Sequence, residues 1–118
     1  TYAPIFDNGT IFLSTGGTSP SIYSIDQSTG MINWKKTQSI SSNLYITDKE
    51  IYFINHDSGL TALDKVTGND VANVKFLPPI DINNPNNGYF ISGDPTNNLL
   101  ALYFGDTNQI MCLQINDP

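Results

Sequence analysis

The segments Ser24–Trp34 (SIDQSTGMINW) and Ala62–Ala72 (ALDKVTGNDVA) are two copies of one pattern. The Asp, Thr and Gly of the first copy each recur 38 residues later, at Asp64, Thr67 and Gly68. An Asp carboxylate accepts hydrogen bonds from backbone N–H groups two residues on, a Thr hydroxyl fixes the same turn, and Gly takes the positive φ that side chains resist. The pattern therefore predicts a tight turn between two strands. In the first copy a tryptophan follows, which we expect to lie across the neighbouring repeat.

Short strands are predicted on both sides of these turns. Runs rich in β-branched and aromatic residues alternate with Gly, Asn, Asp or Pro, and they cover 11–13, 22–25, 31–34, 44–46, 51–54, 60–63, 71–74, 89–91, 99–102 and 110–113. No window carries a long apolar stripe at helical spacing. Asp7–Gly9, Asn87–Gly88 and Thr47–Glu50 predict hairpin turns. The chain is therefore expected to be all-β, with strands that follow one another in up-and-down hairpins.

A third, weaker copy of the repeat runs from Gly88 through 100–102 to 106–111, with Asn108 in place of the glycine. About four strands in close to 40 residues is the period of one propeller blade. We predict about three β-propeller blades of four antiparallel strands, at 1–38, 39–78 and 79–118. Pro78–Pro79 would mark the second junction, and 84–87 would be the loop before the second strand of the third blade. Closed propellers have about four to eight blades, so we expect a partial propeller unless a longer chain or oligomerisation completes the ring.

The first copy resembles the tryptophan-docking repeat of the quinoprotein, or PQQ-like, β-propellers, which reads Ala-x-Asp-x-x-Thr-Gly-x-x-x-Trp. It departs from this repeat only at Ser24, and the second copy departs only at Ala72, where the Trp belongs. The third copy has lost almost the whole motif. The residues that carry the structural repeat are Asp26, Thr29, Gly30, Trp34, Asp64, Thr67 and Gly68. The resemblance implies a fold, and one fold hosts many functions.

The family that this chain resembles has enzymatic and non-enzymatic members. Its pyrroloquinoline quinone (PQQ) dehydrogenases carry a vicinal cysteine disulfide, calcium-ligating side chains and a catalytic aspartate. Its non-enzymatic members include outer-membrane assembly lipoproteins, cell-surface repeat proteins and lumenal sensing domains of stress kinases. Cys112 is the single cysteine, so the chain has no vicinal disulfide. We therefore expect a non-enzymatic scaffold for protein or ligand binding in an extracytoplasmic compartment (periplasmic, cell-surface or secreted), with no catalytic residue, cofactor or metal. The alternative is a fragment of a PQQ-dependent dehydrogenase whose active-site residues lie on blades outside this chain.

Other candidate sites are weaker. His56, the single histidine, lies beside Asp57 and Ser58 in a predicted turn, but neighbouring side chains on a turn diverge, and catalytic triads are assembled from separated segments. The Asn-rich segment 81–87 lacks the acidic spacing and closing Glu of a calcium loop, so we predict a solvated loop. A carbohydrate-binding surface of exposed Tyr and Trp is a third functional possibility, although most aromatic residues occupy strand positions where a core role is expected.

Composition limits the partners. The 118 residues carry a net charge of -6, with five lysines and no arginine, so the guanidinium fork that reads phosphates and bases is missing and nucleic-acid binding is not expected. No stretch approaches the roughly 20 apolar residues of a membrane span, and we expect a soluble chain without a leader or a transmembrane segment. Cys112 lies in the apolar run 110–113 and is predicted to be a buried core residue. The expected partner is another protein, or a second copy that completes the ring.

Overall fold

The computed structural model describes residues 4–16, 19–55, 59–75, 89–94, 96–104 and 108–115. These residues form eleven strands: β1 (Ile5–Asp7), β2 (Thr10–Ser14), β3 (Ser21–Asp26), β4 (Ile32–Thr37), β5 (Tyr45–Ile46), β6 (Glu50–Asn55), β7 (Gly59–Asp64), β8 (Asp70–Lys75), β9 (Tyr89–Asp94), β10 (Leu99–Phe104) and β11 (Gln109–Gln114). No helix occurs in these ranges. In the same part of the chain no segment is a helix long and apolar enough to cross a membrane.

The strands form three antiparallel sheets, each with its strands in chain order: β1 to β4, β5 to β8, and β9 to β11. The predicted all-β fold of propeller blades is confirmed, and the three sheets do not close into a ring. Each sheet lies inside one of the three predicted blades, whose exact boundaries stay a prediction. Pro78–Pro79 and the loop at 84–87 lie outside the described residues.

Two predicted hairpin turns are confirmed. Between β1 and β2, Asn8 has φ 50° and Gly9 has φ 87°, the pair of positive values that a type I′ turn requires. Between β5 and β6, the Thr47 N–H donates to the Glu50 carbonyl at 2.9 Å. The third predicted turn, Asn87–Gly88, falls outside the described residues.

The second sheet lies between the other two, and its strands β6 and β7 are buried on both faces. Ile51 and Phe53 of β6 pack in a cluster with the first sheet, whereas Tyr52 and Ile54 pack in a cluster with the third. The first cluster is completed by Phe12, Ile22, Leu44 and Leu63, and the second by Leu60, Ala62, Tyr89, Ile91, Leu100, Leu102 and Phe104. A strand buried on both faces reads as a continuous apolar run. This explains why residues 51–54 show no polar alternation.

The third sheet is attached to the second through β9. The Asn43 side chain, just before β5, donates to the Ile91 carbonyl at 2.8 Å and accepts from the Ile91 N–H at 2.9 Å. Two residues further along both segments, the Tyr45 ring lies so close to Gly93 that a Cβ at Gly93 would overlap it. Residues 43–45 and 91–93 therefore run in the same direction. The prediction that β9 is the second strand of its blade is wrong in this respect, because β9 has the place and direction of a first strand, next to β5.

The prediction that Cys112 is a buried core residue is wrong, because its side chain is exposed. Side chains alternate along β11, and Met111 and Leu113 pack against the cluster shared with the second sheet. Cys112 therefore points to the outer face of the third sheet. Two aromatic residues in strands are exposed as well: Phe6 lies on the outer face of the first sheet and Phe90 on the outer face of the third. A position in a strand is therefore not sufficient for burial in the core.

Candidate functional site

The two Asp-x-x-Thr-Gly turns close the hairpins between β3 and β4 and between β7 and β8. In the first, Asp26 Oδ1 accepts from the N–H groups of Ser28 at 2.9 Å and Thr29 at 3.1 Å, and from the Ser28 hydroxyl at 2.7 Å. Thr29 Oγ1 accepts from the Met31 N–H at 3.2 Å. Gly30, with φ 75°, donates its N–H to the Asp26 carbonyl at 2.8 Å. Each motif residue therefore performs the turn role that its chemistry suggested.

The second turn repeats the hydrogen bonds that backbone N–H groups make in the first turn, whereas Val66 has no hydroxyl to match that of Ser28. Asp64 Oδ1 accepts from the N–H groups of Val66 at 2.8 Å and Thr67 at 3.0 Å, and Thr67 Oγ1 accepts from the Asn69 N–H at 3.2 Å. Gly68 has φ 77° and donates to the Asp64 carbonyl at 2.8 Å. Two copies with the same bonds show that the turn is an internal structural unit of the repeat.

Hydrogen bonding holds both carboxylates in their ionised form. The Ser28 hydroxyl, and after it the N–H groups of Thr29 and Ser28, lower the pKa of Asp26 below its usual value. The N–H groups of Thr67 and Val66 lower the pKa of Asp64 in the same way. Both carboxylates are therefore committed acceptors rather than groups poised to exchange a proton near neutral pH.

Trp34 joins the first sheet to the turn of the second repeat. Its Nε1 donates to the Lys65 carbonyl at 3.1 Å, and its ring lies against Gly68, where a Cβ would be 2.6 Å from Cε3. The ring is also 6.3 Å from the ring of Phe12, at an interplanar angle of 46°. A glycine is therefore needed in this turn for two reasons, its positive φ and the close approach of the indole. Ala72, which replaces Trp in the second copy, is exposed.

Lys65, the residue between Asp64 and Val66, bridges the first two sheets. Its Nζ lies 2.8 Å from Asp7 Oδ2 and donates to the Thr47 carbonyl at 3.0 Å. The Lys65 side chain is 19% exposed and that of Asp7 33%, so solvent only partly screens this ion pair. Nothing in the local sequence links these residues, because 58 positions separate them.

Two open clefts flank this ion pair. A cleft of about 370 Å³ is lined by Tyr45, Asp48, Glu50, Asn98 and other residues, and one of about 380 Å³ by Asn8, Ser24, Asn33 and Val66 among others, with Asp7 lining both. Burial, and to a lesser extent Asp94, raises the pKa of the Tyr45 phenol. Glu50 accepts a hydrogen bond from the Tyr52 hydroxyl at 3.0 Å. Both clefts are lined by polar and apolar residues. Two of the acidic groups in them interact with neighbouring side chains, Glu50 with Tyr52 and Asp7 with Lys65.

A metal centre is not assembled in the described ranges. No group of three or more His, Cys, Asp or Glu side chains there is placed to hold a metal ion. The weaker candidates His56, Asp57 and Ser58, the segment 81–87, and Asp106 and Thr107 of the third copy all lie outside the described residues.

A related turn in the third sheet was missed by the sequence analysis. Between β9 and β10, Asp94 Oδ1 accepts from the Thr96 N–H at 3.1 Å, and Asp94 Oδ2 accepts from the Asn97 amide at 2.8 Å. Asn98 has φ 54°, the conformation that Gly30 has four residues after Asp26. The signal was an Asp followed four residues later by an Asn, the residue other than Gly that most readily takes this conformation. Asn108, expected to replace the glycine of the third copy, also has a positive φ of 57°.

Comparison with known proteins supports the fold. No protein-family model and no curated protein matches the sequence. The structure is similar to BamB from Moraxella catarrhalis, with 14% identity and a TM-score of 0.61 over 92% of this chain and 38% of that one. It is also similar to a europium-containing methanol dehydrogenase, with 14% identity and a TM-score of 0.59 over 98% of this chain and 24% of that one. The chain spans well under half of either protein, and the likeness is one of β-propeller fold.

Proposed function

We propose that this chain is a segment of a β-propeller that binds other proteins without catalysing a reaction, in an extracytoplasmic compartment. The observation that carries the proposal is the apolar outer face at each end of the stack. The first sheet presents Phe6 there, and the third sheet presents Phe90 and Ile110, all exposed. Contiguous apolar patches on a protein surface mark interaction sites. The extracytoplasmic location rests on the resemblance of residues 24–34 to the PQQ-like repeat.

The polar groups of the turn surface support a scaffold role. Asp26 and Asp64 accept hydrogen bonds within their own turns, and Lys65 is paired with Asp7. These groups stabilise hairpins and join sheets. A surface built in this way positions loops for contact with a partner.

A second copy of the chain is one partner that the exposed faces would suit. Two chains of three sheets would supply six, which lies within the range of about four to eight blades in closed propellers. Sedimentation of the purified chain tests this part of the proposal. A stable, well-folded species of 13.0 kDa would rule out ring completion by a second copy.

The alternative function is that of a segment of a PQQ-dependent dehydrogenase whose active-site residues lie on other blades. The similarity to a methanol dehydrogenase over 98% of this chain favours it. The decisive experiment is a titration with PQQ and calcium, together with dye-linked alcohol oxidation, on this chain and on a longer polypeptide that contains it. We expect neither saturable quinone binding nor dye reduction. Clear turnover would overthrow the scaffold proposal.

Binding of a protein partner needs its own measurement. A photoreactive amino acid placed at Phe6 or Phe90 is expected to crosslink to a defined partner, whereas the same group at Val66, which is 80% exposed in a turn, is expected not to. Equal crosslinking from all three positions would show that the outer faces are not the binding surface.

A further inference from the structure

The cleft of about 380 Å³ lies between the first and second sheets, on the side of their turns. We call it the inter-sheet cleft, and the residues that decide its chemistry are Asp7, Phe12, Ser24, Asn33 and Lys65. All of its lining residues belong to the described part of the chain. Further blades of a longer propeller would stack on the outer faces of the first and third sheets. They would leave a cleft between the first and second sheets as it is.

Ser24 contributes a buried hydroxyl to the inter-sheet cleft. The residue is only 2% exposed, and it lines the cleft. Its Oγ accepts from the Asn33 side-chain amide at 3.2 Å, and it donates to no acceptor within the residues that the structure describes. A hydroxyl can donate one hydrogen bond as well as accept, and buried polar groups usually have their partners. The acceptor for this hydroxyl is therefore expected on a molecule that occupies the cleft.

The second repeat shows that the hairpin does not need this polar pair in order to fold. At the offset of 38 residues, Ala62 and Val71 take the places of Ser24 and Asn33. The strand pairing agrees with this correspondence, because each hairpin has a β-bulge that leaves Asn33 or Val71 without a partner in the ladder. A bulge turns a side chain in a new direction and is common next to binding sites. The polar pair of the first repeat is therefore available for a role other than folding.

The lining of the inter-sheet cleft selects a neutral and polar ligand. Its charged residues Lys65 and Asp7 are paired at 2.8 Å, so they favour neither an anion nor a cation. An apolar ligand would take water from Ser24 and Asn33 without replacing its hydrogen bonds. The ligand groups that match donors and acceptors side by side are hydroxyls, which do both. The volume is at the small end of the roughly 300–1,000 Å³ of ligand sites, which suits one sugar ring.

We propose that the inter-sheet cleft binds a neutral polyhydroxylated ligand of the size of one hexose. The Ser24 hydroxyl donates to one ligand hydroxyl, the Asn33 amide bonds to the next, and Phe12 forms the apolar wall. A free sugar and the terminal sugar of a glycan offer this same chemistry, and the experiment below distinguishes them. The site goes beyond the scaffold proposal, because crosslinking from Phe6 and Phe90 tests that proposal and does not depend on this cleft.

The test is an NMR titration of the isotope-labelled 118-residue chain. The probes are glucose, galactose, mannose and N-acetylglucosamine, each as the free sugar and as its methyl glycoside. We expect saturable shifts of the Asn33 side-chain amide and of the backbone amide of Ser24 with at least one of these probes. Equal binding of the methyl glycoside would identify the end of a glycan as the ligand, whereas binding of the free sugar alone would identify a free sugar.

The variant Ser24→Ala is expected to weaken binding about fivefold, the factor that about 1 kcal/mol produces. Its urea midpoint is expected to stay the same or rise, because the second repeat has Ala62 in this position and the variant removes a buried donor without an acceptor. Asn33→Val, which copies Val71 of the second repeat, is expected to weaken binding by a similar factor. It tests the site independently of Ser24.

The matched control is Ser14→Ala. Ser14 is 7% exposed and lies on the same face of the first sheet, two residues from Phe12, but it does not line the inter-sheet cleft. This variant is expected to leave sugar binding unchanged. Absence of a saturable shift with every probe, unchanged affinity in both Ser24→Ala and Asn33→Val, or equal weakening by Ser14→Ala would each overturn the proposal.

Discussion

Gly68 and Gly30 occupy the same position of the same turn, with φ values of 77° and 75°, and they differ in what lies beside them. A Cβ at Gly68 would be 2.6 Å from the Trp34 ring, whereas a Cβ at Gly30 would meet no heavy atom within 4 Å. Gly30→Ala therefore carries only the conformational penalty of a side chain at positive φ, about 1 kcal/mol after the smaller chain entropy of Ala is allowed for. It serves as the matched control for Gly68→Ala.

Gly68→Ala has to displace the indole as well. Overpacking of this kind costs about 1–3 kcal/mol, and the hydrogen bond from Trp34 Nε1 to the Lys65 carbonyl contributes about 1 kcal/mol that the displacement would weaken. We therefore expect Gly68→Ala to lower the free energy of unfolding by about 3 kcal/mol, about 2 kcal/mol more than Gly30→Ala. With a urea dependence of about 1.5 kcal/mol per M, the two midpoints would differ by roughly 1.3 M.

The assay is urea unfolding followed by far-ultraviolet circular dichroism, with the same concentration of a stabilising osmolyte for every variant so that the weakest one stays folded. The cycle is completed with Trp34→Ala, which removes the ring. In that background the excess cost of Gly68→Ala over Gly30→Ala is expected to fall within about 0.5 kcal/mol of zero. Equal costs for the two glycines, or an excess that persists without Trp34, would refute the docking of Trp34 on Gly68.

Three further outcomes are expected. Hydrogen bonding lowers the pKa of Asp26 and Asp64 below the ordinary Asp value of 3.8, so their contribution to stability is present above that pH and is lost as pH falls through the lower folded pKa. Replacing both by Asn should therefore flatten the dependence of the urea midpoint on pH below about 4, and an unchanged slope would contradict this. Lys65→Met should lower the free energy of unfolding by about 1 kcal/mol or less in low salt. This difference from the unmodified chain should become smaller in about 1 M salt, which screens the ion pair with Asp7. A difference that does not change with salt would contradict the ion pair. Cys112 should react with a thiol reagent in the folded chain as fast as in urea, whereas reaction only on unfolding would show that it is buried.

The turn residues were predictable from sequence because the turns are built by local chemistry. Asp26, Thr29 and Gly30 bond to groups within five positions of one another, so the spacing of side chains and the φ of glycine decide their structure. The same holds for Asn8 and Gly9. The turn from Asp94 to Asn98 was not predicted, because it is built from different residue types and has Asn98 where the other two turns have Gly.

The burial of strand faces was not predictable in the same way. Alternation along β11 places Cys112 opposite Met111 and Leu113, but only the neighbouring sheet decides which side is covered. The place of β9 depends on Asn43, which bonds to a residue 48 positions away. The local sequence specifies hairpins, whereas the stacking of one sheet on the next depends on contacts between distant segments.

The first and second sheets are joined by contacts at one place, and the second and third sheets by contacts at another. This difference follows from the sequence of the repeat. The first junction is held from the outer strands, by Trp34 on Gly68 and by Lys36 with Asp70. The second repeat has Ala72 where a tryptophan would reach the third sheet, and the second junction is held instead beside the first strands, by Asn43 on Ile91. Loss of the tryptophan from the second copy thus goes together with a change in which strands join neighbouring sheets, from β4 against the turn before β8 to the segment before β5 against β9.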